Sequence, residues 1–176
     1  MLLCGGIHVH GEKRQKKGIP MTIEAGMTAP DFALPDSGDE VISLTELRGK
    51  PVVVYFYPKD DTAGCTTEAK DFTCLADEFN AAGASLLGIS PDSPASHRKF
   101  IDKHGLSVRL LSDEEHRVAE AYGVWVEKSM YGRKFMGVER ATFLINKAGK
   151  VAHVWRKVSV PGHAEEVLAA VRALKG

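Results

Sequence analysis

Residues 51–58 have the sequence PVVVYFYP, the continuous apolar run that most limits what this chain can fold into. Its β-branched and aromatic side chains follow one another without polar alternation, which is typical of a strand covered on both faces. Such strands occur in α/β proteins, where helices cover both sides of a sheet. The run therefore predicts a central strand, and a helix is expected directly after it.

The alternation of strands and helices continues beyond that point. Residues 84–92 (ASLLGISPD) predict a second buried strand. Ser93 is placed to cap the next helix, with Pro94 at its first position. A strand-like SVRLLSD then precedes a predicted helix over residues 114–124, EEHRVAEAYGV.

The two ends of the pattern complete the predicted fold. Before the central strand, two short strand pieces flank the turn PDSGDE, which predicts an N-terminal hairpin extension. After it, ATFLINKAGKVAHVWRKV predicts a hairpin and GHAEEVLAAVRALKG a closing amphipathic helix. The order predicts one α/β domain with a central mixed β-sheet flanked by helices.

Composition excludes several classes of function. Lys plus Arg and Asp plus Glu each number 23 in 176 residues, so no bulk charge points to nucleic acid or to an anionic membrane surface. No apolar run is long enough to span a bilayer. Three unevenly spaced cysteines do not make a disulfide framework and are typical of a reducing compartment, which predicts a cytoplasmic protein.

The first twenty residues, MLLCGGIHVHGEKRQKKGIP, differ from the rest. They lack the layout of a secretory signal, because their basic residues follow the apolar start instead of preceding it. We expect residues 1–20 to be a flexible extension to a domain over 21–176, with Met21 as a candidate alternative start. His8 and His10 could bind a metal, but a stray pair does not predict a site.

One thiol stands where the central strand is expected to turn into a helix. In the segment YPKDDTAGCTTEAKDF (57–72), Thr62 is placed as the N-cap and Cys65 in the first helical turn. The unpaired N–H groups and the helix dipole favour a thiolate there. A count at ~100° per residue puts five side chains on one apolar face: Cys65, Ala69, Phe72, Ala76 and Phe79. Position alone leaves two interpretations open, a reactive thiolate or an inert buried cysteine.

Pro58, Thr62 and Cys65 form the pattern P-x-x-x-T-x-x-C. This pattern resembles the peroxiredoxins, and the resemblance continues through APDFALPD, LLGISPDSPASHRKF, LLSDEEHRVAEAYGVW and EKSMYGRKFMGVERATFLI. It is strongest for the bacterioferritin comigratory protein or PrxQ branch and covers essentially all of residues 21–176. The resemblance implies a thioredoxin-like fold. It also implies thiol-dependent reduction of hydrogen peroxide and organic hydroperoxides, without metal, heme or flavin.

The resemblance also implies roles for individual residues. Cys65 would attack the peroxide and become a sulfenic acid, while its own N–H and the Thr62 hydroxyl hold the peroxide oxygens. Pro58 would shield the thiolate and shape the loop. Arg140 would stabilise the thiolate and donate to the peroxide. Spacing alone would make Arg140 an ordinary surface residue at the edge of a strand.

Two further residues support this arrangement in one interpretation and are unremarkable in another. Glu68, one turn after Cys65, would orient Arg140 through an ion pair, or would be a solvated glutamate of the first turn. Gly64 would leave room for the backbone to approach the substrate, or would belong to a generic flexible loop. Residues 128–138 could line the mouth of the site or form a packed loop.

The chain departs from its family at the second thiol. Many members of this branch carry a resolving cysteine five residues after the nucleophile, where this sequence has Lys70. Cys74 is the nearest alternative, but nine residues of intact helix separate it from Cys65 by ~13.5 Å. A disulfide needs the two Cα atoms within about 7 Å. We therefore expect a one-cysteine cycle with an external thiol, with Cys74 as a less favoured internal resolver. Cys4 could reach the site through the flexible extension, but such an extension is a poor basis for a catalytic role.

The expected partners are a hydroperoxide and a thiol reductant: thioredoxin, glutaredoxin with glutathione, or a small thiol. The alternative function is a peroxide sensor or redox-regulated chaperone that uses the same cysteine without efficient turnover. A disulfide carrier is disfavoured because such proteins use C-x-x-C, and the third residue after Cys65 is Glu68. The scattered spacing of five histidines predicts solvated helix and strand positions and not a metal site: His97, His104, His116, His153 and His163. We expect a monomer.

Overall fold

The computed structural model describes residues 22–174, so the predicted extension over residues 1–20 lies outside the described range. Within that range strands and helices alternate as the sequence predicts. The strands are β1 Ala33–Pro35, β2 Val41–Ser43, β3 Val52–Phe56, β4 Ser85–Ser90, β5 Arg109–Ser112, β6 Trp125–Met130, β7 Arg133–Val138, β8 Ala141–Ile145 and β9 Val151–Trp155. The helices are α1 Ala63–Cys74, α2 Ala76–Ala81, α3 Pro94–His104, α4 Arg117–Ala121 and α5 His163–Ala173.

The central sheet has five strands in the order β5-β4-β3-β8-β9. β3 lies in the middle, parallel to β4 and antiparallel to β8, so the sheet is mixed as predicted. All five residues of β3 are buried. Val52, Val54 and Phe56 pack into one hydrophobic cluster, whereas Val53 and Tyr55 pack into the other, on the opposite face. The apolar run at residues 51–58 is therefore the strand covered on both faces that its composition predicts.

A second hairpin, β6–β7, lies between α4 and the start of β8. The sequence left residues 128–138 open between a lining segment and a packed loop, and the structure shows instead a hairpin that turns at Tyr131 and Gly132. Both turn residues have positive φ, 51° and 75°, as a two-residue hairpin turn requires. The predicted helix over 114–124 is wrong at both ends, because only Arg117–Ala121 are helical and Gly123 has a φ of 71°.

The predicted apolar face after the central strand belongs to two helices, not one. α1 ends at Cys74, and Leu75 leaves helical geometry with φ −100° and ψ 3° before α2 begins. Cys65, Phe72 and Phe79 are still buried across this break. Within residues 22–174, no helix combines the length and apolar character needed to cross a membrane.

Candidate active site

The loop between β3 and α1 carries the first candidate residues. β3 ends at Phe56, Pro58 lies half-buried just beyond it, and α1 begins at Ala63. Cys65 is the third residue of α1 and is only 2 % exposed. The amides of a first helical turn have no acceptor within the helix, and the positive end of the helix dipole lies beside them. Negative charge on the Cys65 sulfur is therefore favoured at this position.

Thr62 occupies the N-cap position of α1 that the sequence predicts, with an extended backbone. Its hydroxyl does not bond to the helix amides but donates to the carbonyl oxygen of Lys59 over 2.9 Å. The hydroxyl proton is thus already used, while the hydroxyl oxygen keeps lone pairs for a further hydrogen bond. In this geometry Thr62 is an acceptor towards any molecule that approaches the start of α1.

The register of the sheet explains how Arg140 reaches the same place. Arg140 directly precedes β8, and Ala141 at the start of β8 pairs with Phe56 at the end of β3. Because α1 begins a few residues after Phe56, the two segments meet at one end of the sheet. Arg140 and Cys65, which are 75 residues apart in the chain, therefore come into contact.

The short connection that carries Arg140 is held from both sides. The N–H of Glu139 donates to the carbonyl of Val124 over 2.7 Å. The Glu139 carboxylate accepts a hydrogen bond from Arg156 Nε at 2.6 Å, and the Arg140 carbonyl accepts one from the Val158 N–H at 3.0 Å. These bonds fix the backbone from which the Arg140 side chain projects.

The Arg140 guanidinium bridges Cys65 and Glu68. Its Nη2 donates to Cys65 Sγ over 3.2 Å, and its Nη1 donates to Glu68 Oε1 over 2.8 Å. Glu68 lies one turn after Cys65 on α1 and is 1 % exposed. A guanidinium offers several N–H groups in a rigid fork, which a lysine ammonium cannot reproduce. The structure thus brings together three of the residues that the sequence singles out.

Burial dominates the electrostatics of this group. It raises the pKa of Glu68 from an ordinary 4.5 to about 7, against the lowering effect of the Arg140 charge. Desolvation alone would lower the pKa of Arg140, but the charges and hydrogen bonds of Glu68 and Cys65 outweigh it and raise that pKa. Arg140 therefore stays cationic, whereas Glu68 is readily neutralised near pH 7.

Gly64 makes room for the guanidinium. A Cβ placed on Gly64 would lie 3.2 Å from Arg140 Nη2, closer than an ordinary contact. The sequence suggested that this glycine leaves space for substrate to approach the backbone. The atoms that actually need the space are those of the Arg140 side chain.

The other described cysteine lies at the far end of the same helix. Cys74 is the last residue of α1 and is exposed, whereas Cys65 is buried. Both thiols are free among residues 22–174, and Cys4 lies outside that range. Lys70, at the position where the resemblance implies a resolving cysteine in other members, is exposed. An unbroken helix thus separates the two described thiols.

Two histidines that the sequence assigned to solvated positions are buried, so that assignment is wrong for them. His163 is 4 % exposed and lies with Nε2 2.8 Å from Thr142 Oγ1, and desolvation lowers its pKa. His97 is fully buried beside Asp60. A signal for His97 was present, because it lies three residues before the buried Phe100 and therefore on the same helix face.

No group of three or more His, Cys, Asp or Glu side chains within residues 22–174 could hold a metal ion. The side chain that donates a hydrogen bond to the Cys65 sulfur is a guanidinium, that of Arg140. Such a site can stabilise a thiolate and developing negative charge on an attacked molecule.

Comparison with known proteins gives a consistent result. Residues 25–154 match the AhpC/TSA family. Peroxiredoxin Bcp of Bacillus subtilis is 49 % identical over 148 residues, 84 % of this chain and 94 % of its own length. The Xanthomonas campestris bacterioferritin comigratory protein, whose structures address its alkyl peroxide reduction activity, superposes with a TM-score of 0.80 at 45 % identity, over 85 % of this chain and 98 % of that one. Peroxidoxin BcpB of Mycobacterium tuberculosis superposes with a TM-score of 0.77 at 38 % identity, over 88 % and 99 % of the two chains.

The fold and the site together define a thiol peroxidase with a thioredoxin-like fold. The chain belongs to the AhpC/TSA family, and its relatives are peroxiredoxins of the bacterioferritin comigratory type. The predicted family, fold class and type of enzyme are confirmed by these comparisons.

Proposed function

We propose that Cys65 reduces hydrogen peroxide and organic hydroperoxides and that an external thiol then restores it. The observation that carries this proposal is the 3.2 Å hydrogen bond from Arg140 Nη2 to Cys65 Sγ at the start of α1. A cation and a helix N-terminus both stabilise a thiolate, the form of cysteine that attacks peroxides. Pro58 shields that thiolate from the side of the loop.

In the first half of the cycle, the Cys65 sulfur attacks one peroxide oxygen. An S–O bond forms as the O–O bond breaks, so sulfur loses two electrons and the peroxide gains them. The second oxygen leaves as hydroxide or alkoxide and takes up a proton. Arg140 and the Cys65 N–H donate to the oxygens that gain charge, while the Thr62 oxygen accepts the hydrogen bond of the peroxide under attack.

In the second half, an external thiol attacks the Cys65 sulfenic acid. A mixed disulfide forms and water leaves, and a second thiol then releases a disulfide and restores Cys65. Lys70 in place of a second cysteine, and the exposed position of Cys74 at the far end of α1, support external reduction. Thioredoxin is the reductant we favour, with glutaredoxin or a small thiol as the other candidates.

The setting we propose is a monomer in the cytoplasm. The unpaired thiols of Cys65 and Cys74 are compatible with a reducing compartment. The most exposed large apolar side chains include Met130, Tyr131 and Phe135, which cluster around one hairpin. Because these side chains are confined to one hairpin, they support a monomer.

Steady-state consumption of hydrogen peroxide and of cumene hydroperoxide, with thioredoxin, thioredoxin reductase and NADPH, tests the proposal. We expect many turnovers for the wild-type chain and none for Cys65→Ser. Consumption that stops after one equivalent, under each reductant in turn, would contradict a peroxidase cycle and favour the sensor or chaperone.

A further inference from the structure

Four side chains next to the candidate active site form a buried hydrogen-bonded cluster that the proposed reaction does not use. They come from the end of β3, the loop before α1, and helix α3. We refer to this cluster as the loop clamp, and it consists of Tyr57, Asp60, Ser96 and His97.

Asp60 is the centre of the loop clamp. Its Oδ1 accepts a hydrogen bond from the Tyr57 hydroxyl at 2.6 Å. Its Oδ2 accepts one from the Ser96 hydroxyl at 2.8 Å and lies 2.8 Å from His97 Nδ1. Asp60 is 7 % exposed and His97 is 0 % exposed, so the carboxyl group is satisfied by protein groups in a place that water hardly reaches.

His97 is held at both ring nitrogens. Its Nε2 lies 3.0 Å from the carbonyl oxygen of Leu111 on β5. A carbonyl oxygen can only accept, so Nε2 is the donor in this contact. The ring therefore has one orientation and connects the sheet to the loop. Buried networks in which every member is bonded are rigid.

The backbone around Asp60 is also tied to α3 and to the loop that precedes it. The Asp60 N–H donates to Asp92 Oδ2 over 2.9 Å. The next residue, Asp61, has a positive φ of 58°, and its carboxylate contacts Lys103 Nζ and His104 Nε2, each at 2.7 Å. A non-glycine residue in this left-handed conformation needs support from its surroundings.

These contacts lie inside the segment that forms the candidate site. Asp60 is two residues after Pro58 and two residues before Thr62, and Cys65 follows one turn later. The Thr62 residue itself is exposed, and its hydroxyl bonds only within the loop, to Lys59. The Thr62 carbonyl accepts a hydrogen bond from the Thr66 N–H at 2.9 Å, and the rest of the loop before Thr62 is held through Asp60.

We propose that His97 is a positioning residue for peroxide reduction, acting through Asp60 to hold the loop that carries Pro58 and Thr62 against the start of α1. The inference rests on the proposed function, because it assigns His97 to the same site. A displacement of about 1 Å in reacting groups can cost on the order of 100-fold in rate. Nothing in this role requires His97 to touch the peroxide.

A matched pair of substitutions separates this role from ordinary packing. In His97→Asn the side-chain amide takes the place of Nδ1 and can still bond to Asp60, whereas the bond to Leu111 is lost. In His97→Gln the amide takes the place of Nε2, so the bond to Leu111 is kept and the bond to Asp60 is lost. Lys99→Ala, at an exposed position on α3, is the control.

Two rates are measured for each variant: kcat/KM for hydrogen peroxide, and alkylation of Cys65 by iodoacetamide. Alkylation needs the thiolate but not a positioned peroxide. We expect His97→Gln to lower the peroxide rate roughly 10- to 100-fold. His97→Asn and Lys99→Ala should stay within roughly threefold of wild type, and alkylation should change little in all three. Hydrogen exchange of residues 59–65 should increase in His97→Gln alone.

Equal effects of Asn and Gln, or equal losses in the two rates, would overturn the inference. If neither variant folds, Tyr57→Phe provides the test, because it removes one hydrogen bond to Asp60 and keeps the ring. A peroxide rate unchanged in Tyr57→Phe would then overturn it. The variant Cys65→Ser distinguishes the two proposals. Peroxide turnover that survives in Cys65→Ser refutes the proposed function. Turnover that requires Cys65 but is unchanged by substitutions in the loop clamp refutes only the role of His97.

Discussion

The two ends of α1 carry the same side chain in opposite surroundings. At the N-terminal end, Cys65 is buried and accepts a hydrogen bond from Arg140. At the C-terminal end, Cys74 is exposed and is the last residue before the break at Leu75. The dipole of the helix favours an anion at the first end and a cation at the second.

The difference shows that the surroundings of a thiol here are set by the fold and not by the helix sequence alone. Three separate segments meet at Cys65: the loop after β3, the first turn of α1, and the residues before β8. Cys74 lies nine residues away on the same helix and receives none of these groups. Substitutions that remove the contacts of these segments with Cys65 should therefore make the reactivity of Cys65 more like that of Cys74.

Removal of the guanidinium should have the largest effect. We expect Arg140→Gln to lower kcat/KM for hydrogen peroxide by ~10²–10³, because the site loses its cation and a donor to the developing oxyanion. Arg140→Lys should recover only part of this, since an ammonium cannot bridge Cys65 and Glu68 as the fork does. The exposed Arg133→Gln on β7 is the matched control, and its rate should remain that of wild type. A full rate in Arg140→Gln would show that Arg140 does not cause the difference expected between Cys65 and Cys74.

Glu68→Gln should reduce the rate less, by ~10-fold, because a glutamine oxygen can still accept from Arg140 but lacks the charge that strengthens the bond. Its clearer effect is on stability. The pKa of Glu68 is about 7 in the fold and 4.5 ordinarily, so between these values the native state holds a proton that the unfolded state has lost. The contribution of Glu68 to stability is therefore greatest below pH 4.5 and is lost as the pH rises to about 7.

The size of this pH effect can be estimated from the two pKa values. At ~1.4 kcal/mol per pKa unit, the interval amounts to about 3 kcal/mol of unfolding free energy. Urea unfolding between pH 4.5 and 8 measures it. The wild-type chain should lose this stability as the pH rises, and Glu68→Gln should show a flatter profile. Identical dependence of the unfolding free energy on pH in the two proteins would show that burial does not disfavour the charged form of Glu68.

Gly64→Ala should have a smaller effect, a decrease of roughly three- to fivefold in kcat/KM, if the added methyl displaces Arg140 Nη2 by a few tenths of an ångström. Alanine favours a helix over glycine by up to ~1 kcal/mol, so thermal stability should not decrease. A slower enzyme with an unchanged or higher Tm would distinguish crowding of the guanidinium from damage to the fold. Lys70→Ala, exposed on the same helix, is the control for an added alanine. An unchanged rate in Gly64→Ala would mean that Arg140 adjusts freely.

Local sequence signals predicted much of this molecule. The run at residues 51–58 predicted β3, and Ser93 with Pro94 predicted the start of α3, where the Ser93 hydroxyl does accept the Ser96 N–H at 3.1 Å. The place of Cys65 in the first turn of α1 was also predicted, although its position alone left a reactive and an inert thiol open. Each of these inferences depends on side chains within one element or its boundary.

The rest depends on contacts between distant segments. The burial of His97 requires Asp60 from another element, and the crowding at Gly64 requires Arg140, 76 positions further along the chain. Hairpin β6–β7 was missed because its exposed residues mix charged and apolar types. Without a buried face, these residues do not show the two-residue alternation that identifies a strand. Arg140 itself was found through a family pattern, since nothing in its neighbours distinguishes it from a surface arginine.

The smallest expected effect belongs to the other end of the helix. Cys74→Ser should change kcat/KM with thioredoxin by less than about twofold, within the range of exposed substitutions that touch no special feature. Nine residues of continuous α1 separate its Cα from that of Cys65 by ~13.5 Å, whereas a disulfide requires less than about 7 Å. Closing that gap would require more than two turns of helix to unwind, with loss of the buried contacts of Glu68 and Phe72. Mass spectrometry of peroxide-treated protein should therefore find Cys65 as a sulfenic acid or a mixed disulfide. A Cys65–Cys74 disulfide in the monomer, together with loss of turnover in Cys74→Ser, would show that α1 unwinds during catalysis and that both ends of the helix take part.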